Sequence, residues 1–233
     1  MSETGRPEYG ASDHYLGDKG KEYFSWQDGG ALFAGKINAH KFRDLIKPSD
    51  TVLDFGCGGG GLLANLSCAR KVGVEINPAA REVARSRGIE CYAAISDVPD
   101  AMADVIVSDH ALEHVPFPIA ALRELRGKLK SDGVLSICVP IDNWRHQNKY
   151  NPDDQNHHLH TWTAQLLGNT LFEAGFQVVS IHSRIFAWPG GWTVAAYGRL
   201  PYALFRAICY SYGAATGKGW ETLSVAKRNS GAG

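Results

Sequence analysis

The sequence predicts an α/β protein with a doubly wound, mostly parallel β-sheet and helices on both faces. Short runs rich in β-branched residues alternate with segments of helical spacing, which is the pattern that a parallel sheet requires. A buried strand, 51–55, runs directly into the glycine-rich turn 56–61 and then into a helix. The next strand ends in a carboxylate, Glu75, nineteen residues after Gly56. This unit predicts a nucleotide site at the carboxyl edge of the sheet.

The glycine turn is compatible with two kinds of ligand. Gly56, Gly58 and Gly61 satisfy the dinucleotide fingerprint G-x-G-x-x-G. Glu75 follows at about the expected distance of ~20 residues. Asp54, however, stands two residues before the first glycine, where its charge would repel a pyrophosphate. S-adenosylmethionine would gain from this charge, because it carries an ammonium and a sulfonium group and no phosphate. The charge pattern therefore favours a methyl donor over NAD.

Further along the chain, the run 104–115 reads Asp-Val-Ile-Val-Ser-Asp-His-Ala-Leu-Glu-His-Val. Together with the glycine turn and Glu75, this run resembles the class I S-adenosylmethionine-dependent methyltransferases, in which a fourth strand leads into a Leu-Glu-His turn. The resemblance covers roughly residues 40–185 and a closing strand near 220–227. It implies a Rossmann-like sheet of seven strands whose last strand is antiparallel.

The resemblance also implies which residues bind the cofactor. Asp54 and the glycines Gly56, Gly58 and Gly60 would line the methionine end of S-adenosylmethionine. Glu75 would bind the ribose hydroxyls. The end of the fourth strand would contribute main-chain contacts near the reactive methyl group. Many relatives carry an acid after the third strand that binds the adenine amino group, whereas here the main chain around Ile95, or Ser96 and Asp97, is expected to read adenine. The expected cofactor-binding residues are Asp54, Gly56, Cys57, Gly58, Gly60, Glu75, Ile76, Ile95, Ser96, Ser108 and Asp109.

The composition fits one domain with a sizeable core. The chain has 233 residues, 44% of them hydrophobic, and 24 basic residues balance 24 acidic ones. Zero formal net charge and the lack of a basic block argue against nucleic acid as a partner. The amino terminus lacks the apolar core of a secretory signal, so a cytoplasmic location is expected. The five cysteines form no Cys-x-x-Cys pair and are expected to be reduced and buried.

Periodicity and turn residues predict the order of the elements. Residues 1–40 are expected to form a cap, and 41–233 are expected to form the methyltransferase domain. The predicted helices cover 37–46, 60–68, 78–87, 119–129, 163–174 and 202–212. The predicted strands cover 51–55, 71–76, 89–94, 104–108, 134–139, 176–185 and 220–226, with a turn at 130–133.

Histidines concentrate where the methyl acceptor is expected. His110 and His114 follow the fourth strand, and His158 lies in the long segment after the fifth strand. Both segments lie at the carboxyl edge of the sheet, where ligands bind. A histidine can remove the proton of a hydroxyl acceptor, so His114 or His158 is the first candidate base and His110 the next. For His114, capping of the turn is an equal alternative.

The same segment raises the question of a metal ion. His157, His158 and His160 stand at i, i+1 and i+3, which is a poor spacing for a single tetrahedral site. No second cluster of ligands at strong spacing supports one. The sequence therefore predicts that no metal is bound.

An apolar and aromatic stretch, 188–219, separates the last two predicted strands in place of a short turn. Insertions of this length usually carry function. Gly198 and Pro201 divide it, so it is too broken to cross a bilayer, which needs ~20 apolar residues. Three uses remain open: a cover over the acceptor pocket, a contact in a homodimer, or peripheral membrane contact through 192–215.

Taken together, the motifs predict an S-adenosyl-L-methionine-dependent methyltransferase, either a monomer or a homodimer. Its acceptor is expected to be a hydroxyl, rather than an amine or carbon, of a small molecule, sugar or lipid-linked compound. Two alternatives remain open. An NAD-dependent oxidoreductase would share the fingerprint, but its expected Tyr-x-x-x-Lys pair is not found in the relevant loops. A non-catalytic methyltransferase-like subunit would be expected to carry damage in the glycine turn, which is intact.

Overall fold

A computed structural model describes residues 9–10, 12–28, 30–143, 147–187 and 199–229, and for residues 27, 28 and 31 it describes the backbone alone. Within these ranges seven strands form one sheet in the order β3-β2-β1-β4-β5-β7-β6. The strands are β1 Thr51–Phe55, β2 Arg70–Val74, β3 Glu90–Tyr92, β4 Ala103–Asp109, β5 Leu129–Pro140, β6 Phe176–Ile185 and β7 Trp220–Arg228.

The sheet is parallel except at β7, which pairs antiparallel with both β5 and β6. The chain runs outward from β1 to β3 and then returns to the other side of β1 with β4. This reversal opens a crevice at the carboxyl ends of β1 and β4, which is where open α/β sheets bind ligands. The predicted doubly wound sheet with an antiparallel last strand is confirmed.

Seven α-helices accompany the sheet within the described ranges. They are α1 Gly17–Asp28, α2 Ala31–Asn38, α3 Gly61–Ala64, α4 Pro78–Ser86, α5 Pro118–Lys128, α6 Ala164–Glu173 and α7 Tyr202–Thr216. Helices α4 and α5 begin with a proline, whose fixed φ suits the first helical turn. Helices α4 and α6 are capped by Asn77 and Thr163, whose side chains accept hydrogen bonds from backbone N–H groups of the first turn.

The core lies on both faces of the sheet. Successive strand residues point to opposite faces, so Val52 packs into one apolar cluster and Leu53 into the other. Both side chains are fully buried, as expected for a central parallel strand covered by helices on both sides. The five cysteines are unpaired as predicted, and all but Cys68 are buried.

Several predicted boundaries are wrong. Residues 37–46 do not form one helix, because α2 ends at Asn38 and two short helical turns follow. These turns direct Phe42 into the core, where it has no exposed surface. Helix α3 is shorter than predicted and ends at Ala64, whereas β5 is longer and includes the predicted turn 130–133. Strand β2 ends at Val74 and does not include Glu75. The side chain of Glu75 turns back toward the glycine turn.

Helix α7 accounts for the second half of the predicted insertion and extends beyond the predicted range 202–212. It packs through Phe205 and Cys209 against Ile37 of α2. Residues 188–198 lie outside the described ranges, and these include residues 192–198 of the 192–215 segment considered for membrane contact. Within the described ranges, every helix falls short of the length and apolar character that a membrane span needs.

Candidate functional site

Glycines shape the turn after β1 because the backbone there adopts positive φ angles. Gly56, Gly58 and Gly60 have φ of +77°, +52° and +79°, in a region that L side chains rarely occupy. A Cβ atom at Gly56 would overlap the side chain of Ala111. The turn therefore brings its main chain directly to the wall of the crevice.

Glu75 holds the glycine turn from the neighbouring strand. Its Oε2 accepts a hydrogen bond from the Gly58 N–H at 2.8 Å, and its Oε1 accepts one from the Asn77 N–H at 2.8 Å. Burial raises the pKa of Glu75, and the same backbone N–H groups oppose this shift. The carboxylate thus connects the turn after β1 with the start of α4 at the mouth of the crevice.

A pocket, here called the tyrosine pocket, lies between Glu75 and the amino-terminal segment. The amino-terminal segment supplies one wall through Tyr9, Tyr15, Tyr23 and Phe24, and Ile76 lines it from the opposite side. Residues 1–40 were expected to form a cap, and no sequence motif marked these aromatic residues as the lining of a pocket.

Next to it lies the glycine pocket, which is lined by Asp54, Cys57, Asp109, the glycines of the turn and residues of α2. Asp54 is only 2% exposed. Burial, and then the carboxylates of Asp109 and Glu75, raise the pKa of Asp54 well above its usual value. This crowding of negative charge makes the glycine pocket favourable for a cation.

The other residues that the sequence predicted to bind the cofactor lie outside the lining of the tyrosine and glycine pockets. The Ser108 hydroxyl is buried and donates to the Phe55 carbonyl at 3.0 Å, which ties β4 to β1. The side chain of Ile95 is fully buried, whereas Ser96 is exposed. The Asp97 carboxylate accepts from the Ala94 N–H at 3.2 Å and so caps its own short turn. Gly60, Ile95, Ser96 and Ser108 do not line the tyrosine pocket or the glycine pocket.

A buried ion-pair network lies at the far end of the glycine pocket, and the sequence did not predict it. The Lys41 ammonium contacts Asp109 Oδ1 at 2.7 Å and Glu221 Oε2 at 2.9 Å. Glu221 Oε1 accepts from Arg184 Nε at 2.7 Å. Burial opposes the charge on Lys41, but Asp109 and its other anionic neighbours outweigh it and raise the Lys41 pKa. The network connects β4, β7, β6 and the turn after α2.

His110 occupies the junction of the site. Its backbone has φ of +56°, and its N–H donates to the Cys138 carbonyl at 2.9 Å. Its side chain is 40% exposed, and its Nε2 lies 3.3 Å from Glu221 Oε2. Burial opposes protonation, but the hydrogen bond with Glu221 and the carboxylates of Asp109 and Glu113 outweigh it, so the pKa of His110 is raised.

His110 lines four pockets. Besides the tyrosine and glycine pockets, it borders the histidine pocket, formed with Tyr23, Trp26, Glu113, His114 and His158, and the strand pocket, formed between β5, β7 and α7. A molecule in the histidine or strand pocket and a molecule in the glycine pocket would therefore meet at this side chain.

The structure brings His114 and His158 together. Their rings contact edge to face with centroids 5.0 Å apart. His114 Nδ1 lies 2.6 Å from the Tyr15 hydroxyl, and His158 Nδ1 lies 3.0 Å from Asp142 Oδ2. Burial, and then His158, lower the pKa of His114 to about 3. Burial opposes the charge on His158, but the hydrogen bond to Asp142 outweighs it and raises its pKa.

The neighbouring histidines point elsewhere. The ring of His157 stacks on His14 with centroids 4.7 Å apart. His160 Nε2 donates to the Val115 carbonyl at 3.0 Å. The sequence trio His157, His158 and His160 therefore does not act as a unit, and only His158 faces the histidine pocket.

Comparison with known proteins decides between the two ligands that the fingerprint allows. Residues 26–181, about two thirds of the chain, match the family model of a methyltransferase domain. The chain belongs to the class I S-adenosylmethionine-dependent methyltransferases. The resemblance seen in the sequence motifs is confirmed, and the glycine turn is that of a methyl-donor fold rather than of a dinucleotide-dependent oxidoreductase.

Curated relatives match this methyltransferase over part of their length. A trans-aconitate 2-methyltransferase from Enterobacter sp. (strain 638) is 37% identical over 106 residues, which are 42% of each chain. A ribosomal protein L11 methyltransferase from Burkholderia mallei (strain NCTC 10229) is 32% identical over 106 residues, 40% of this chain and 35% of the relative. The matched part thus spans less than half of these relatives.

Solved structures share the whole fold. A methyltransferase from Thermotoga maritima, titled a possible histamine N-methyltransferase, is 18% identical with a TM-score of 0.62 and covers 89% of this chain and 94% of its own. The plantazolicin methyltransferase BpumL in complex with SAH is 15% identical with a TM-score of 0.61 and 93% coverage of both chains. At these identities the likeness shows the fold alone.

Proposed function

We propose that this methyltransferase transfers a methyl group from S-adenosylmethionine to a hydroxyl of a small-molecule, sugar or lipid-linked acceptor that binds beside His110. The observation that carries this proposal is the position of His110, which borders the two cofactor-side pockets and the two pockets on the acceptor side. A group at this junction faces both the donor methyl and the incoming acceptor atom.

The cofactor binds across the tyrosine and glycine pockets in this proposal. Its ribose hydroxyls bind Glu75, and its adenine lies against Ile76 and Tyr9. Its methionine end, with two positive charges, lies in the glycine pocket, where Asp54 and Asp109 favour a cation. The glycine turn contributes main-chain N–H groups, and its lack of side chains lets the cofactor approach the backbone closely.

The chemistry requires alignment and the removal of one proton. The acceptor oxygen, the methyl carbon and the sulfur must lie in line, at a near-attack distance of ~3–3.5 Å. The oxygen lone pair forms the new C–O bond as the C–S bond breaks, and that electron pair stays on the sulfur of S-adenosylhomocysteine. The hydroxyl proton passes to His110, which Glu221 orients at 3.3 Å. We prefer His110 to His114 as the base, because Tyr15 and Glu113 surround the His114 ring.

Electrostatics favour a hydroxyl over a carboxylate acceptor, although one relative is named for trans-aconitate. The carboxylates of Glu221 and Glu113 stabilise the imidazolium that forms on His110 when a hydroxyl loses its proton. A carboxylate acceptor has no proton to lose and gains nothing from this base. Tyr212 of α7 lines the strand pocket together with Trp220, which supports the role of the insertion as a cover.

The test is a transfer assay with labelled donor and a panel of phenolic and sugar hydroxyl acceptors. His110→Asn is the sharpest variant, because asparagine tolerates the positive φ of this position better than other residues do. We expect its kcat to fall by about 10²- to 10⁴-fold, as for loss of a general base, with the affinity for S-adenosylhomocysteine unchanged. His182→Asn, an exposed histidine on β6, is the matched control. Full turnover by His110→Asn would refute the role of His110.

A second prediction concerns the donor. Glu75→Ala is expected to weaken S-adenosylmethionine binding by about 1–3 kcal/mol, because it removes charged hydrogen bonds to the ribose, while kcat at saturating donor stays the same. Titration calorimetry measures the affinity, and Glu82→Ala on the exposed face of α4 removes the same charge as a control. Equal affinities of the two variants would contradict the placement of the ribose.

A further inference from the structure

Three side chains of the types that bind metal ions converge in the histidine pocket. Glu113 and His114 belong to the short helical turn Leu112–His114, and His158 comes from the segment after β5. One ligand atom from each residue lies within 4.8 Å of the other two. Glu113 Oε1 is 3.7 Å from His114 Nε2.

The main chain holds the two segments together. The N–H groups of Leu159 and His160 both donate to the carbonyl of Glu113, at 2.9 and 3.2 Å. These bonds follow His158 immediately and fix its segment against the turn. The cluster is therefore built by the backbone and does not depend on chance contact between flexible side chains.

Glu113 carries an unsatisfied carboxylate. Its side chain has no exposed surface, and neither of its oxygens has a hydrogen-bond partner among the described residues. Its Oε1 lies 3.7 Å from both His110 Nδ1 and His114 Nε2. A buried carboxylate normally pairs with a cation or coordinates a metal, because its desolvation is otherwise uncompensated.

Both histidines use one ring nitrogen for an outer partner and keep the other available. The Tyr15 hydroxyl lies 2.6 Å from His114 Nδ1 and 2.9 Å from the Asn156 carbonyl. When this hydroxyl donates to the carbonyl, His114 donates to Tyr15 through Nδ1 and retains the lone pair of Nε2. His158 engages Asp142 through Nδ1, which leaves its Nε2 as the free nitrogen. Metal-binding histidines show this arrangement, in which the second nitrogen bonds a carboxylate or another polar group.

We propose that Glu113, His114 and His158 bind a divalent transition-metal ion, with Zn²⁺ as the reference ion. Two imidazoles and one carboxylate form a donor set that suits zinc and its first-row neighbours, whereas Mg²⁺ and Ca²⁺ prefer oxygen ligands. Ligands at ~2.0–2.1 Å from a tetrahedral ion are roughly 3.4 Å apart, compared with 3.7 Å between Glu113 Oε1 and His114 Nε2 and at most 4.8 Å for the pairs with His158. This replaces the sequence expectation of no metal, which considered His157 and His160 but not Glu113 and His114.

The ion would have one open position toward Tyr23, Trp26 and His110, which line the same pocket. Its role rests on the proposed function: an ion held by Glu113, His114 and His158 would supply a Lewis acid that lowers the pKa of the acceptor hydroxyl. His110 takes the hydroxyl proton, and the oxygen lone pair forms the C–O bond as the C–S bond breaks and its electron pair stays on the sulfur.

A second cluster, Asp109, His110 and Cys138, does not support a metal site. The Lys41 ammonium already lies 2.7 Å from Asp109 and 3.4 Å from the Cys138 sulfur. This buried cation supplies the positive charge that the cluster needs.

The experiment is zinc binding to the full chain after treatment with a chelator and dialysis. Wild-type protein titrated with ZnCl₂ is expected to take up one equivalent, measured by calorimetry and by elemental analysis after gel filtration. His158→Asn, in a loop outside the core clusters, is expected to bind Zn²⁺ at least about 100-fold more weakly. Glu113→Gln serves as the second variant, with the same expected loss. His157→Asn, which removes the adjacent histidine that faces His14, is expected to bind as wild type.

The outcome separates this inference from the proposed function. If wild type takes up no Zn²⁺, or if His158→Asn and His157→Asn bind it equally, the metal site is wrong, even where methyl transfer to hydroxyls proceeds in chelator-treated protein. If one equivalent binds and depends on His158 and Glu113 while no hydroxyl is methylated, the metal site stands and the proposed function fails.

Discussion

A Gly58→Val variant is expected to lose S-adenosylmethionine binding altogether. Gly58 has φ of +52°, and a β-branched residue at such an angle is a steric outlier. Its N–H also donates to Glu75, so a changed backbone would release the carboxylate proposed to bind the ribose. Calorimetry with S-adenosylhomocysteine measures the loss, and circular dichroism checks that the sheet remains folded.

Gly127→Val is the matched control for this variant. Gly127 lies in α5, and a Cβ there would meet only the Asp100 carboxylate, at 3.8 Å. Its φ is not in the positive region. Binding by Gly58→Val that equals binding by Gly127→Val would show that the turn does not hold the cofactor.

Replacing Lys41 by methionine is expected to lower the free energy of unfolding by about 3–5 kcal/mol, as when one partner of a buried ion pair is removed. The side chain of Lys41 is 3% exposed and neutralises both Asp109 and Glu221. Without it, two carboxylates would remain close together in the interior. The loss is large compared with a typical stability of ~5–15 kcal/mol, so the urea midpoint should fall clearly.

Lys21→Met provides the comparison at the surface. Lys21 pairs with Asp18 at 3.2 Å, but both side chains are largely exposed, and such pairs contribute ~0–1 kcal/mol. Equal urea midpoints for the Lys41 and Lys21 variants would show that the buried network does not stabilise the fold.

Local patterns were enough to predict the framework of this fold. The β1 strand, the glycine turn and Glu75 lie within 25 residues of one another. Because this motif is local in the sequence, it can be recognised without knowledge of the tertiary contacts. The alternation of strand and helix patterns predicted the sheet for the same reason. Predicted helix boundaries were wrong where tertiary packing outweighed the hydrophobic periodicity. The predicted helix 37–46 ends at Asn38, and Phe42 is instead buried in the core.

On the acceptor side, the sequence predicted that His110, His114 and His158 lie at the carboxyl edge of the sheet, and the structure brings these three residues to one pocket. The contacts around them could not be predicted, because they join distant parts of the chain. Lys41 meets Glu221 across 180 positions, and His114 meets Tyr15 across 99. The adjacent residues His157 and His160 have other partners, whereas the fold joins His158 to Glu113 and His114. Glu113, His114 and His158 come together because the parallel strands β4 and β5 end at the same edge of the sheet.

The most direct test of the account is a crystal structure with S-adenosylhomocysteine bound. We predict that the ribose hydroxyls contact Glu75, that the methionine end lies beside Asp54 in the glycine pocket, and that the sulfur points toward His110. A cofactor whose sulfur faces away from His110, with its ribose distant from Glu75, would contradict the central claim that donor and acceptor meet at this histidine.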